Sequence, residues 1–273
     1  MDQTSLSRVI NSTIEWITGR YRRMLRWHPA LNYKRIKLYR DAIEDLSEVD
    51  CIWGFIDGTF NPFCRPIKDQ RTVYSGYKKL HGYKYQAIAT PCGMLLSIDG
   101  PWEGRRNDLT MARQSRIEAR LQALFDGQEE TLYIYGDPAY KALSYVFGPY
   151  PGGRSLRGAN AEFNKHLSSI RISVEQCFGR VQNLFALNSF KYALKSGLQP
   201  VALYWELSVL LTNIYTSLHP DSNAVTRRFG VTPLSLDEYL SPEATDRHEI
   251  TGILPSTDWY QFTQESTLDS SVR

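Results

Sequence analysis

Four acidic residues stand where carboxylates could do chemistry. Asp57 closes the apolar run Cys51-Ile-Trp-Gly-Phe-Ile-Asp57-Gly-Thr59, and Asp137 closes Leu132-Tyr-Ile-Tyr-Gly-Asp137. Asp108 opens a helical pattern in Gly104-Arg-Arg-Asn-Asp108-Leu-Thr-Met. Glu175 lies inside Ile170-Arg-Ile-Ser-Val-Glu175-Gln-Cys-Phe-Gly179-Arg180, which reads as a helix. A carboxylate at a buried strand end is desolvated and costly unless something cationic offsets it. Several converging at one sheet edge would need a metal ion, which is the layout of a two-metal nuclease or transferase. Each motif alone is weak. Asp-Gly-Thr and Gly-Asp-Pro are commonly plain turns, Asp108 alone is an N-cap, and Glu175 alone is a solvated helix residue.

The elements that must position these groups follow from hydrophobic spacing. Ile10, Ile14, Ile17, Tyr21 and Met24 mark one face of a helix from about Ser5 to Trp27, broken by Pro29. A second helix is predicted over Tyr33–Leu46, then a strand ending at Asp57 and a loop around Asn61–Gln70. His81–Thr90 alternates like a strand, and Gly93–Asp99 reads as its hairpin partner. Asp108 is placed as the N-cap of a helix to about Phe125, followed by a strand Thr131–Tyr135. Gly148–Asn160 reads as a loop, Asn164–Leu184 as the helix of Glu175, and Pro200–Leu218 as an apolar helix begun by proline. This order predicts an α/β fold, a mixed central β-sheet flanked by helices, with N-terminal helices. The division is an N-terminal helical segment over 1–50, a catalytic domain over 51–220, and an acidic, partly disordered tail over 221–273.

Composition is that of a globular protein, with 42% hydrophobic and 12% aromatic residues in 273. The net charge is only +3, but it is unevenly spread. From Arg20 to Arg40 there are eight Lys/Arg and no Asp or Glu; from Val231 to Arg273 there are two basic and eight acidic residues. A basic body with an acidic tail suggests a polyanionic partner. The four cysteines, Cys51, Cys64, Cys92 and Cys177, form no Cys-x-x-Cys pair, which argues against a zinc cage or disulfide framework. The start Met-Asp-Gln-Thr-Ser lacks a secretory signal pattern. Glu206 interrupts the most apolar stretch, so no membrane partner is expected.

Five motifs in order carry a family resemblance: Asp57-Gly-Thr59, Tyr74-Ser-Gly-Tyr-Lys-Lys-Leu-His81-Gly, Gly104-Arg-Arg-Asn-Asp108, Gly136-Asp137-Pro-Ala-Tyr140 and Val174-Glu175-Gln-Cys-Phe-Gly179-Arg. The chain resembles the transposase (DDE endonuclease) of the PIF/Harbinger superfamily and its domesticated nuclease relatives, over roughly Trp53 to Leu218. The resemblance implies an RNase H-like fold and metal-dependent cleavage and joining of DNA. It assigns catalysis to Asp57, Asp137 and Glu175, with Asp108 as a further metal ligand. Asn107 stands where this family usually has His before that aspartate. Mg²⁺ or Mn²⁺ is the implied cofactor, because both take hard oxygen ligands and retain some waters.

DNA contact is expected from Arg71, Tyr77, Lys78, Lys79, His81, Lys84, Arg105, Arg106, Arg171 and Arg180. The Tyr74–Lys84 stretch could meet phosphates and stack on bases, or it could be a strand edge guarded by lysines; the two weigh equally. For Arg20–Arg40, interleaved with Tyr21, Trp27, Tyr33 and Tyr39, a solvated helix face outweighs DNA contact. A catalytically silent DNA- or protein-binding relative on the same scaffold stands as the alternative function. A haloacid-dehalogenase-type phosphatase is set aside, because Phe55 occupies the position where its second aspartate is needed. Family resemblance adds a separate Myb-like DNA-binding protein as partner and a nuclear location, with the cytoplasm and homo-oligomerisation left open.

Overall fold

A computed structural model describes residues 2–189, 194–196 and 199–241, apart from the side chain of Arg154. Six strands and nine helices are described: α1 Gln3–Arg26, α2 Tyr33–Ser47, β1 Ile52–Pro62, α3 Gln70–Val73, β2 Tyr74–Ser75, β3 Leu80–Ala89, β4 Leu95–Glu103, α4 Asp108–Gln114, α5 Ile117–Phe125, β5 Tyr133–Tyr135, β6 Val146–Phe147, α6 Ala159–Leu184, α7 Val201–Leu218, α8 Ala224–Phe229 and α9 Leu236–Leu240. The sheet is mixed and ordered β2-β3-β1-β5-β6, with β4 also paired to β3. β1 and β4 run antiparallel to β3; β5 and β6 continue parallel to β1.

β1 is the central strand, and its sequence says why. Ile52, Trp53, Phe55 and Ile56 are all fully buried, so both faces are covered and the run is continuously apolar rather than alternating. One face packs α2, α6 and α8: Phe55 meets Phe229 of α8, and His166 Nδ1 of α6 donates to the Ser47 carbonyl of α2. The other face takes α4, α5 and the end of α1, through Gln86–Ser115 and through Arg120 on Asp99. The α6 stripe Leu167, Ile170, Val174, Cys177, Phe178 and Val181 is buried at helical spacing in the same core.

Several boundaries differ from the sequence expectation for identifiable reasons. β1 does not stop at Asp57 but pairs with β3 as far as Pro62 opposite Gly82. Asp108 is not the N-cap of its helix: Asn107 is, its side chain accepting from the Thr110 amide at 2.7 Å, and Asp108 is the first helical residue. The predicted single helix to Phe125 is two, because Arg116 adopts a left-handed conformation between α4 and α5. α1 and α2 bury Met24, Leu25, Tyr39 and Ile43 in the core that holds β1. Residues 221–241, assigned to an acidic tail, pack as α8 and α9 with Val225, Phe229 and Tyr239 buried; residues 242–273 of that tail lie outside the described residues.

Two buried carboxylates tie the layers through ion pairs. Arg120 and Asp99 are each 2% exposed and meet at 2.9 Å, and Arg120 also donates to the Arg26 carbonyl. Glu206 on α7 is held by Arg22 and Arg26 of α1. Breaking a buried pair strands its partner's charge. Arg120→Met is expected to lower unfolding free energy by about 3–5 kcal/mol in denaturant titration, and adding Asp99→Asn should recover much of that. A single-variant loss below about 1 kcal/mol would show that the pair does not hold α5 to the sheet.

Candidate active site

The register of β1 on β5 brings two carboxylates together. Phe55 pairs with Tyr135 in the parallel ladder. Asp57 and Asp137 each follow two residues later, near enough for the Asp137 charge to raise the Asp57 carboxyl. β5 ends at once because Pro138 cannot donate to a ladder; the chain turns into a short 3₁₀ helix, Pro138–Ala142. Asp137 caps that turn, its Oδ1 accepting from the Ala139 amide at 2.8 Å. Gly136 is needed here: a Cβ would lie 2.8 Å from Ile56 Cγ2 and 2.9 Å from the Tyr140 ring.

Asp108 reaches the cluster from the opposite face of β1, across Gly58. A Cβ on Gly58 would stand 2.8 Å from Asp108 Oδ1 and 3.5 Å from the end of Met111, so only glycine lets the first turn of α4 approach this closely. Lys84 of β3 holds Asp108, with Nζ 2.6 Å from Oδ1, and also donates to the Arg106 carbonyl at 2.9 Å.

Glu175 comes from α6 by way of an arginine. Arg171 Nη1 donates to Asp57 Oδ2 at 2.9 Å, and its Nη2 meets Glu175 Oε1 at 3.4 Å, one helical turn on. One guanidinium therefore joins the strand carboxylate to the helix carboxylate, on the same side of the sheet. Glu175 itself is 58% exposed.

These charges act on one another. Burial pushes the Asp57 carboxyl up from 3.8 to about 6; the Gly58 amide and Arg171 pull it back, while Asp137 and Asp108 raise it further. Asp137 is raised as well, first by burial and then by Asp108, against the Ala139 amide. Tyr140, buried beneath, is raised well above the usual phenol range by burial and then by Asp108, Asp57 and Asp137. Its hydroxyl is buried and has no hydrogen-bond partner among the protein atoms.

The donor set suits a hard divalent cation: carboxylate oxygens, no thiolate, no imidazole. The Tyr140 hydroxyl lies within electrostatic reach of Asp108, Asp57 and Asp137. As the side chains stand, no three His, Cys, Asp or Glu among the described residues converge tightly enough to hold an ion. Lys84 and Arg171 supply the positive charge instead, at two of the carboxylates.

The residues expected on DNA divide into three groups. Arg71, Tyr77, Lys78, Lys79 and Arg105 are exposed, and His81 is half-buried against the Tyr74 ring. Lys84 and Arg171 are inside the carboxylate cluster. Arg106 pairs with Glu103 and Gln114, and Arg180, on the far side of α6 from Arg171, donates to the Ser222 carbonyl and hydroxyl. In Arg20–Arg40 several cations are engaged within the protein instead of lining a solvated face: Arg22 and Arg26 go to Glu206, Arg35 to Tyr39 and the Thr232 carbonyl, Arg40 to Asp41. Sequence reasoning missed Gly58 and Tyr140 as site residues, although both lie inside the quoted motifs.

A raised carboxylate pKa has a defined stability consequence. The folded state holds the Asp57 proton more tightly than the unfolded chain does, so this stabilisation is complete below about pH 4 and is lost as pH rises through about 6. In metal-free buffer, Asp57→Asn should therefore stabilise the protein by on the order of 2 kcal/mol at pH 7–8, a gain that shrinks as pH falls from about 6 and is absent below about 4. Thermal melts across pH in EDTA check this; a constant difference at every pH would remove Asp57 ionisation as its cause.

The family model described as "DDE superfamily endonuclease" matches residues 56–213, more than half of the chain, and spans all four acidic residues. A probable transposase for insertion sequence element IS702 from Microchaete diplosiphon is 23% identical over 166 residues, which are 56% of this chain and 57% of that protein. The chain thus spans little more than half the length of the curated relative it matches. No solved structure matches. With the matched span running from β1 to α7 and enclosing the carboxylate cluster, the chain belongs to the DDE superfamily of endonucleases.

Proposed function

We propose that this protein is a metal-dependent DNA endonuclease of the transposase type, within or near the PIF/Harbinger superfamily, and that Asp57, Asp108, Asp137 and Glu175 hold its Mg²⁺ or Mn²⁺ ions. The reading is carried by one observation: β1 and β5 deliver Asp57 and Asp137 side by side while Gly58 admits Asp108, at an evident electrostatic cost. The mixed sheet with helices on both faces supports an RNase H-like assignment. Bound there, divalent ions would acidify an attacking water or 3′-hydroxyl and stabilise the leaving oxygen of an in-line displacement. The chain's own contribution is to fix the ligands. Asp137 is locked by the Ala139 amide, Asp57 by the Gly58 amide, and Asp108 by the α4 start. Lys84 and Arg171 offset the charge of the unloaded cluster. The proposal includes end recognition by a separate Myb-like protein and a nuclear location.

A catalytically silent relative is favoured by one specific feature, the pairing of Asp57 and Asp108 with resident side-chain cations. Nicking of supercoiled plasmid by the purified chain, in Mg²⁺ or Mn²⁺, separates the two. The endonuclease reading expects nicking that Asp57→Ala abolishes; no nicking by the wild type in either metal, with DNA binding intact, supports the silent relative.

Asp137 separates catalysis from capping. Asp137→Asn retains an oxygen that can cap Ala139 but removes a negative ligand, so nicking should fall at least about 100-fold with stability unchanged or raised. Asp137→Ala should lose nicking and also about 1 kcal/mol of stability. Full nicking in Asp137→Ala would remove this residue from the catalytic set. Gly58→Ala should fold, displace Asp108 from Lys84, and lose nicking; an active Gly58→Ala enzyme would show that Asp108 is dispensable.

A further inference from the structure

The β2–β3 tip is the motif that the carboxylate cluster leaves unused. We propose that Tyr77, at the apex of this tip, is a stacking platform for an unpaired base of bound DNA, about seven nucleotides from the phosphate attacked at the carboxylate cluster. This rests on the DNA-endonuclease reading above.

The tip is built to hold its shape. Ser75 pairs with Leu80, and residues 76–79 close the turn. The Ser75 hydroxyl accepts from the Lys78 amide at 3.2 Å, and Lys79 takes the left-handed conformation, φ 55°, that reverses the chain. The Tyr74 and His81 rings pack at 5.1 Å across its base. Gly104 seats the end of β4 directly against the Val73 and Gly82 carbonyls, where a Cβ would not fit. On this braced turn the Tyr77 ring stands 90% exposed, with Lys78 Nζ 5.2 Å from its centroid.

The bland reading of lysines at such a place is protection of a sheet edge. β2 is two residues long, so it offers little edge to protect. Phosphate contact explains the lysines but not the aromatic ring, which gains nothing from water. A flat, sequence-tolerant partner for an exposed ring beside ammonium groups is a nucleobase, which stacks while the lysines hold its backbone. A base inside an intact duplex hides its faces, so the base must be unstacked.

Position links the tip to the cluster. No acidic residue lies between Asp69 and Asp99, and Arg71, Lys78, Lys79 and Arg105 are exposed along this side. Arg105 follows Gly104, level with Gly82 and so between the tip and Lys84. Asp57 stands opposite Ala87 on β3, seven residues along from Leu80 at the tip base. At about 3.3 Å per strand residue that is about 23 Å, or roughly seven nucleotide steps of DNA.

Binding in EDTA, which blocks cleavage, tests the proposal by fluorescence anisotropy with two short duplexes, one intact and one carrying a single unpaired thymine. The wild type should prefer the unpaired thymine by about tenfold, within the five- to hundredfold range of base–aromatic stacking. Tyr77→Ala should lose the preference, so that the two duplexes bind alike, and Tyr77→Trp should keep it. Lys78→Ala with Lys79→Ala should weaken both duplexes alike and flatten the salt dependence. Photocrosslinking with 5-iodouracil stepped away from a pre-made nick should label Tyr77 most strongly near seven nucleotides. A wild type that binds intact duplex but shows no preference, or an unchanged preference in Tyr77→Ala, overturns the stacking site and leaves the endonuclease reading standing. A wild type that binds neither duplex overturns the DNA reading, and this proposal with it.

Discussion

Ionised carboxylates packed together in a half-buried place repel one another and lose hydration, and the centre of this protein is organised around that cost. The parallel register of β1 and β5 sets Asp57 beside Asp137, and the missing side chain of Gly58 lets Asp108 close in from the other face. Burial and mutual repulsion push Asp57 to about 6. Everything nearby answers this constraint. Arg171 bridges Asp57 to Glu175, Lys84 neutralises Asp108, and backbone amides of Gly58 and Ala139 fix two carboxylates in place. The apolar strand behind them, covered on both faces, holds the geometry rigid.

Carboxylates elsewhere in the molecule are treated differently. Glu206 is nearly inaccessible and held by two arginines, and Asp99 meets Arg120 through both oxygens. Those pairs are closed and structural. Asp137 has no ion pair among the described residues, and Asp57 has a single arginine shared with Glu175. A fold that satisfies its buried charges so fully at Asp99 and Glu206, and so incompletely at Asp57 and Asp137, concentrates its deficit of positive charge in one place. Perturbed carboxylates of this kind gather at functional sites, and a divalent cation is the partner that hard oxygen donors call for.

Much of this was legible in the sequence where a signal was local. The buried run of β1, the hairpin of β3 with β4, and the spacing of α6 are patterns of neighbouring residues, and five short motifs in order pointed to the DDE family that the chain belongs to. Partnerships between distant residues were not legible. Lys84 and Arg171 look in sequence like DNA-contacting cations, yet each sits on an aspartate 24 or 114 positions away. Arg180 looks the same but faces α7 and Ser222, because nine helical residues turn it half-way round from Arg171. Gly58 reads as a turn glycine until α4 is laid against it. The break at Arg116 also escaped, since apolar spacing continues through it while the backbone reverses.

In the function proposed above, Asp57, Asp108, Asp137 and Glu175 would form one cation site whose charge Lys84 and Arg171 offset in the absence of metal. Isothermal titration of the metal-free protein with Mn²⁺ at about pH 6, where about half of Asp57 is protonated, tests it most directly. The account predicts saturable binding accompanied by proton release, lost in Asp57→Ala and tightened in Lys84→Met, where a resident cation no longer competes. Binding that is indifferent to Asp57, or absent from the wild type, would contradict it.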